Sequence, residues 1–122
     1  MLKWLDRLWG RIRADPVDAV EASREGLVIH FEGESRTLPW ERVGAIAVQF
    51  VTGSPEARDI HYLFTLPERE LRVSLATPGM SEFVTRLQRV PGFQRRTHED
   101  AVRYCADTPV VIWRNPQHSV QG

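Results

Sequence analysis

The stretch of residues 38–93 constrains the fold of this chain more than any other sequence feature. It holds three runs in which apolar and polar residues alternate and one later run with helical spacing: residues 44–52, 59–66, 71–76 and 80–90. Alternation with period 2 predicts strands with one buried face, whereas apolar residues at i, i+3, i+4 and i+7 predict an amphipathic helix. Because short connections favour antiparallel pairing, the stretch predicts an antiparallel meander with one helix packed on its apolar face.

Further strands are predicted on both sides of that stretch. Residues 27–38 alternate around a Gly-containing turn and predict a hairpin. Residues 17–23 fit either a strand or a short helix opened by Pro16, and we favour the strand because Gly26 can supply a turn into the hairpin. The apolar run at residues 110–114 predicts a last strand.

The starts of the predicted helices are assigned from capping residues. Thr77 or Ser81 can cap the main helix, because Ser and Thr side chains accept hydrogen bonds from the unpaired N–H groups of a first turn. The sequence Thr-His-Glu-Asp at residues 97–100 resembles a capping box, which predicts a second helix over residues 98–106.

Together these patterns predict an α+β fold. It comprises an antiparallel meander sheet of about five to seven strands, one main amphipathic helix, a second short helix, a C-terminal strand and an N-terminal amphipathic helix. The predicted organisation is an N-terminal helix over residues 1–15, a single α+β domain over residues 16–114 and a flexible tail over residues 115–122.

The N-terminal helix is the most amphipathic segment of the sequence. At 100° per residue, the large apolar side chains of residues 1–13 fall within an arc of roughly 160°. They are Leu2, Trp4, Leu5, Leu8, Trp9 and Ile12, and the bases on the remaining surface are Lys3, Arg7, Arg11 and Arg13. Such a helix can pack across the domain, lie in a membrane interface or enter a partner's groove, with Trp4 and Trp9 as anchors.

Composition narrows the function classes. The chain has 16 Lys and Arg against 16 Asp and Glu, so its formal net charge is zero. Nucleic-acid binders usually carry a basic excess, and no such partner is expected. A lone cysteine, Cys105, cannot form an internal disulfide, and charges interrupt each early apolar run, so we expect a cytoplasmic protein without a leader or a membrane span.

No residue pattern specifies an enzyme. The histidines are far apart and Cys105 is isolated, which disfavours a metal site, and there is no phosphate-binding loop. Asp59 and His61 share one side of a predicted strand, where an exposed pair at the strand end is the simpler interpretation. We expect no catalytic residues, no metal and no cofactor.

Four segments carry a resemblance to known proteins: residues 38–46, 59–64, 87–93 and 111–114. With them, residues 26–114 resemble a family of small, mostly uncharacterised bacterial proteins, several of which are thought to act as immunity proteins beside polymorphic toxins. The order of strands, with a tryptophan before a new strand and a helix at the end, also resembles bacterial pleckstrin-homology-like domains, which bind proteins or lipids. In those domains the capping helix comes last, whereas here a further helix and strand are predicted after it.

The resemblance and the lack of a catalytic set favour a non-enzymatic protein-binding domain. For such a domain the resemblance implies an immunity-type inhibitor that occludes a toxin. The candidate contacts are exposed acids facing a basic partner together with the two aromatic anchors: Glu56, Asp59, Glu68, Glu70, Trp4 and Trp9. The alternative is a peripheral, pleckstrin-homology-like membrane module anchored by residues 1–13. The oligomeric state is left open.

Overall fold

The computed structural model describes residues 17–51 and 59–116. Within these ranges the chain forms seven strands and two α-helices. In chain order they are β1 (Ala19–Ala22), β2 (Gly26–Phe31), β3 (Glu34–Pro39), β4 (Ala45–Phe50), β5 (Ile60–Thr65), β6 (Glu70–Ser74), α1 (Met80–Leu87), α2 (Arg95–Arg103) and β7 (Val110–Arg114).

The strands form two antiparallel sheets. One contains β1, β2 and β3 in that order, and the other has the order β6-β5-β4-β7. The predicted α+β class, the antiparallel strands, the two helices and the C-terminal strand are confirmed, and residues 17–23 do contain a strand. The division into two sheets is a feature that the alternation pattern does not reveal. The predicted N-terminal helix lies outside the described residues.

The two sheets separate where the chain passes from β3 to β4. Pro39 cannot donate a ladder hydrogen bond, and a single 3-10 turn at Trp40–Arg42 follows it. The side-chain amide of Asn115 donates to the carbonyl oxygens of Trp40 and Val43, at 3.2 and 3.0 Å. Asn115, which the sequence placed in a flexible tail, is therefore buried and joins the end of β7 to the junction between the sheets.

One contiguous hydrophobic core connects both sheets and α1. The helix contributes four buried side chains at the predicted spacing: Met80, Phe83, Val84 and Leu87. The largest fully buried side chains that the strands contribute to this core come from both sheets: Leu27, Ile29, Leu38, Ile46, Phe50, Tyr62, Phe64 and Leu71. Since apolar surface removed from water stabilises by about 25 cal/mol per Å², this shared core holds the two sheets together.

The predicted caps of α1 are wrong. Neither Thr77 nor Ser81 occupies the N-cap position; the N-cap is Gly79, in the left-handed region at φ +88°. The reason is a tertiary contact, because a Cβ built on Gly79 would lie only 1.9 Å from the carbonyl oxygen of Val20 in β1. The backbone N–H of Val20 also donates to the Pro78 carbonyl at 3.0 Å.

The predicted start of α2 is also wrong. The helix covers Arg95–Arg103 rather than residues 98–106, so the expected capping box lies inside its first turns. Its N-cap, Gln94, makes no side-chain capping bond, and its backbone N–H instead donates to Ile112 of β7 at 2.8 Å. Pairing with β7 sets where this helix begins, which local capping chemistry could not indicate.

Candidate binding groove

Helix α1 and the junction between the sheets meet at a pair of aromatic rings. The ring of Phe83 stacks on Trp40, with centroids 5.9 Å apart and planes inclined by 15°, and it also contacts Phe64 at 5.7 Å. The indole N–H of Trp40 donates to the Ser23 carbonyl at 3.0 Å. Trp40 is thus held from both sides, by α1 and by the turn that joins β1 to β2.

A mostly apolar groove opens beside this aromatic pair. It has a volume of about 360 Å³ and lies between the end of β1, the 3-10 turn, α1 and the paired strands β4 and β7. Its apolar lining consists of Trp40, Ile46, Phe83, Leu87, Val90 and Trp113, with Ala22 at one edge. Val90 is 38% exposed, so apolar surface of this lining faces solvent.

The groove is held by ordered elements. The indole N–H of Trp113 in β7 donates to the Pro91 carbonyl at 3.2 Å, which ties β7 to the chain after α1. Leu87 lies on the buried face of α1, and Ile46 is in the central strand β4. Because each wall belongs to a helix, a strand or a fixed turn, the groove is pre-formed, as binding pockets usually are.

A more polar hollow adjoins the groove toward the start of β1. It has a volume of about 350 Å³ and shares Ala22, Phe83 and Arg86 with the groove. The other residues that line it are Ala19, Val20, Glu21, His30, Pro78, Gly79 and Glu82. The two hollows thus form one continuous depression along β1 and α1.

The depression carries charges of both signs. Two acids line the polar hollow, Glu21 on β1 and Glu82 in the first turn of α1. Two exposed bases, Arg24 and Arg86, line the apolar groove, and Arg86 also lines the polar hollow. Acids and bases are therefore interspersed along the depression, and Arg24 and Arg86 are the charges at the edge of the apolar groove.

Of the acids predicted to bind a partner, the three that the structure describes lie at opposite ends of one strand. Asp59 immediately precedes β5, whereas Glu68 and Glu70 lie at the other end of that strand, in the turn to β6 and at its first residue. Five intervals of about 3.3 Å separate the two ends of β5, so these groups are far apart. Glu56, Trp4 and Trp9 lie outside the described residues, and the role of all six in partner binding stays a prediction.

The surface around Glu68 is mixed in charge. Glu68 lies 3.5 Å from Arg42, and both side chains are partly exposed. Arg69 and Arg72 lie with Glu68 and Glu70 around one shallow depression. A basic partner would therefore meet alternating charges here, and exposed ion pairs of this kind contribute little binding energy.

A buried tyrosine and histidine form the main polar contact of the core. The Tyr62 hydroxyl in β5 lies 2.9 Å from Nε2 of His98 in α2, and Phe93 packs edge-on against the same imidazole. Burial lowers the pKa of His98, partly offset by the nearby Glu99 carboxylate, and burial raises the pKa of Tyr62. A neutral imidazole and a protonated phenol are thereby favoured, and this pair docks α2 on the four-stranded sheet.

Acidification is expected to destabilise the fold through His98. Its pKa is lowered from 6.5 in the folded state, so between those two values the unfolded chain binds the additional proton. The free energy of unfolding should therefore fall as the pH drops below about 6.5 and through the folded-state pKa. Urea unfolding over a pH series measures this slope, and His98→Phe should make it shallower. An equal slope in the variant would place the pH dependence elsewhere.

The single cysteine of the chain lies at the end of the second helix. Cys105 is half-buried and lies just after α2, at φ +50°. Within residues 17–51 and 59–116, no group of three or more His, Cys, Asp or Glu side chains is placed to hold a metal ion.

The groove-lining tryptophans were not predicted as binding residues. Trp40 and Trp113 lie in segments that carry the family resemblance, whereas Trp4 and Trp9 share one face of the predicted N-terminal helix. The sequence feature that could have identified Trp40 as a binding residue is its position. It is a large aromatic residue between a proline and a charged pair at the end of a strand. The helical spacing of apolar residues predicts that Phe83 is buried. It does not predict that the ring of Phe83 stacks on Trp40.

Comparisons with models of known families, with curated proteins and with solved structures found no match. The likeness to immunity proteins and to pleckstrin-homology-like domains therefore stays a prediction. Neither helix of the described residues is long and apolar enough to cross a bilayer.

Proposed function

We propose that this chain is a non-enzymatic protein-binding domain whose binding site is the apolar groove. The observation that supports it is a groove of about 360 Å³ with an apolar lining, in which Val90 is 38% exposed and Trp40 is half-buried above the buried side chains of Phe83, Leu87 and Trp113. Concave apolar sites with a few charged groups at the edge suit the insertion of large side chains from a partner segment. We therefore expect the partner to insert aromatic or leucine side chains of one segment into the groove.

The rim adds a charge preference. Arg24 and Arg86 are exposed at the edge of the groove, so an acid beside the anchors of the partner would find a base within reach. The anchors supply most of the affinity, because fully desolvated apolar contacts dominate interfaces and exposed charges mainly set orientation and association rate. The resemblance to immunity proteins favours a toxin as the partner, bound so that the domain blocks part of its surface.

Val90→Glu is expected to weaken partner binding by about tenfold or more, a change of about 1.4 kcal/mol. Val90 is 38% exposed in the free protein, so the substitution should leave the fold intact. In the complex, however, it would bury an unpaired carboxylate against apolar groups, which is costly. Proteins captured from the native host would be identified and purified, and their dissociation constants measured by calorimetry with the parent and the variant.

The matched control is Tyr104→Glu, which introduces the same charge at a residue that is 71% exposed and lies after α2. It should leave the dissociation constant unchanged. Equal binding by the parent and both variants would rule out the groove as the site. Loss of binding to anionic vesicles on Trp4→Ala plus Trp9→Ala, with no protein bound by the parent, would favour the membrane module instead.

A further inference from the structure

We propose that a second copy of this chain pairs with the outer edge of β6, so that two four-stranded sheets become one sheet of eight strands. The two copies of β6 would run antiparallel, with Glu70 of each copy opposite Arg72 of the other. This inference is independent of the proposed function, because β6 and the apolar groove have no residue in common.

The two sheets end in four edge strands, and neighbouring segments engage two of them. At the edge of β1 the backbone N–H of Val20 donates to the Pro78 carbonyl, and at β7 the Ile112 carbonyl accepts from the N–H of Gln94, just ahead of α2. In the part of the chain that the structure describes, the middle of β3 and the first four residues of β6 have no such bond at their outer edges. An open strand edge is a template for pairing with another chain.

The ladder between β5 and β6 determines which backbone groups of β6 point outward. At its start the N–H of Leu66 donates to the Arg69 carbonyl at 2.8 Å. Hydrogen-bonded pairs alternate along an antiparallel ladder, so the backbone groups of Leu71 also point to β5, whereas those of Glu70 and Arg72 point away from it. A second strand would find the N–H and C=O groups of both charged residues open to it.

The charges on this edge are self-complementary. Glu70 is exposed and Arg72 is half-buried, and within the described residues neither belongs to an ion pair. When two copies of β6 run antiparallel with Leu71 opposite Leu71, Glu70 of each copy faces Arg72 of the other. Each of these pairs exchanges two backbone hydrogen bonds and brings opposite charges together on one face. The backbone bonds supply affinity, and the charges set the register.

The same charges disfavour the neighbouring registers. A pairing that keeps outward backbone groups opposite one another fixes which face each side chain occupies, so the strands can shift only between a few alignments. One shift places Arg72 opposite Arg72, and the opposite shift places Glu70 opposite Glu70. Like charges directly opposite one another are destabilising, so the alignment centred on Leu71 is selected.

Strand β3 carries the same spacing of acid and base but fits a second copy less well. Its charged residues, Glu34 and Arg36, already form an ion pair with each other at 3.4 Å. Both point their backbone groups to β2, because the two-residue turn that joins these strands is closed by a hydrogen-bonded pair at Phe31 and Glu34. A charge-matched pairing of two β3 strands is centred on Ser35 and leaves only that residue to exchange backbone bonds. The edge of β6 offers two such pairs and is therefore favoured.

Pairing through β6 is expected to stop at two copies. The contact is isologous, since the same strand serves on both sides, and the other edge of the four-stranded sheet is the engaged strand β7. Leu71 and Val73 are already buried in the single chain, at 1% and 0% exposure, so pairing would bury little further apolar surface. Stable interfaces bury about 1,200–2,000 Å², more than one strand edge provides. We therefore expect a weak, reversible dimer.

The test measures self-association of the full chain by sedimentation equilibrium and by amide NMR spectra over a dilution series that starts near millimolar concentration. The parent should dimerise, and the amide signals of residues 70–73 should move on dilution. Glu70→Arg and Arg72→Glu should each weaken dimerisation by about tenfold or more, because either change sets like charges opposite one another twice in each dimer.

The decisive sample is an equimolar mixture of the Glu70→Arg and Arg72→Glu variants. In a mixed dimer the two introduced charges face each other, and the native Arg72 of one variant faces the native Glu70 of the other. Association should therefore return toward the parent level. An effect of either substitution within a single copy cannot be restored by mixing, so recovery is specific to the proposed contact.

The matched control is Arg36→Glu, which makes the same change on the other open edge and should leave dimerisation unchanged. A parent that stays monomeric near millimolar concentration would overturn the proposal, as would a mixture that associates no better than either variant alone. Dimerisation that is lost in Arg36→Glu but kept in Arg72→Glu would assign the contact to β3 instead. If a variant fails to fold, the dilution shifts of the parent still decide, because signals that move only outside residues 70–73 exclude β6.

Discussion

Replacing Gly79 with alanine is expected to lower the free energy of unfolding by about 2–5 kcal/mol. Two separate costs combine at this position. The residue has φ +88°, a conformation that costs an L-amino acid about 1–2 kcal/mol. The new Cβ would also lie 1.9 Å from the backbone carbonyl oxygen of Val20, which cannot rotate away, and relieving such overlap costs about 1–3 kcal/mol.

Gly33→Ala is the matched control. Gly33 also has positive φ, +79°, but a Cβ there meets nothing within 4 Å. It should therefore show only the conformational cost, about 1–2 kcal/mol. Urea unfolding measures the difference between the two variants in free energy of unfolding, provided that their m-values are equal. Equal losses would show that β1 does not approach α1 as closely as the structure has it.

Phe83→Ala is expected to cost about 3–5 kcal/mol, the range for truncating a buried aromatic side chain. Phe83 is 2% exposed and contacts Trp40 and Phe64, so the substitution would leave a cavity bounded by both rings. Small domains are stable by only about 5–15 kcal/mol, and this loss would be a large share of the total. Thermal and denaturant unfolding measure it.

The control for that substitution is Phe83→Leu, which keeps most of the volume and should cost about 1–1.5 kcal/mol. Phe83→Ala should also weaken partner binding beyond Phe83→Leu, because Trp40 loses the ring on which it stacks. A loss below about 1.5 kcal/mol for Phe83→Ala would mean that the core relaxes around the cavity or that the helix is not packed as described.

Most of the individual elements could be predicted from the sequence because their signals are local. The strands β4 and β5 and the buried stripe of Met80, Phe83, Val84 and Leu87 are confirmed. The single buried face that alternation predicts is not seen in β4, where Ala45, Ile46, Ala47 and Val48 are all buried. The sheet to which each strand belongs could not be predicted in this way. Strand β7 pairs with β4, more than 60 residues earlier in the chain, and no local pattern indicates that partner.

The groove was beyond sequence reasoning for a related reason. Its apolar lining comes from α1, the 3-10 turn, β4 and β7, which meet only after both sheets have packed. The acids and N-terminal tryptophans selected from the sequence were chosen by composition and helical spacing, which describe single segments. A concave site built from four segments has no signature in any one of them, although Trp40 and Trp113 are individually conspicuous.

The position of Asn115 determines the order in which parts of the fold can form while the chain is being translated. The hairpin strands β1, β2 and β3 contact one another within about twenty residues and can pair as soon as they are free of the ribosome. The junction at Trp40 and Val43 must wait for an amide that is translated more than 70 residues later. Until then β4 has an unpaired edge, so the nascent chain is most exposed to association with other chains just before its last strand is released.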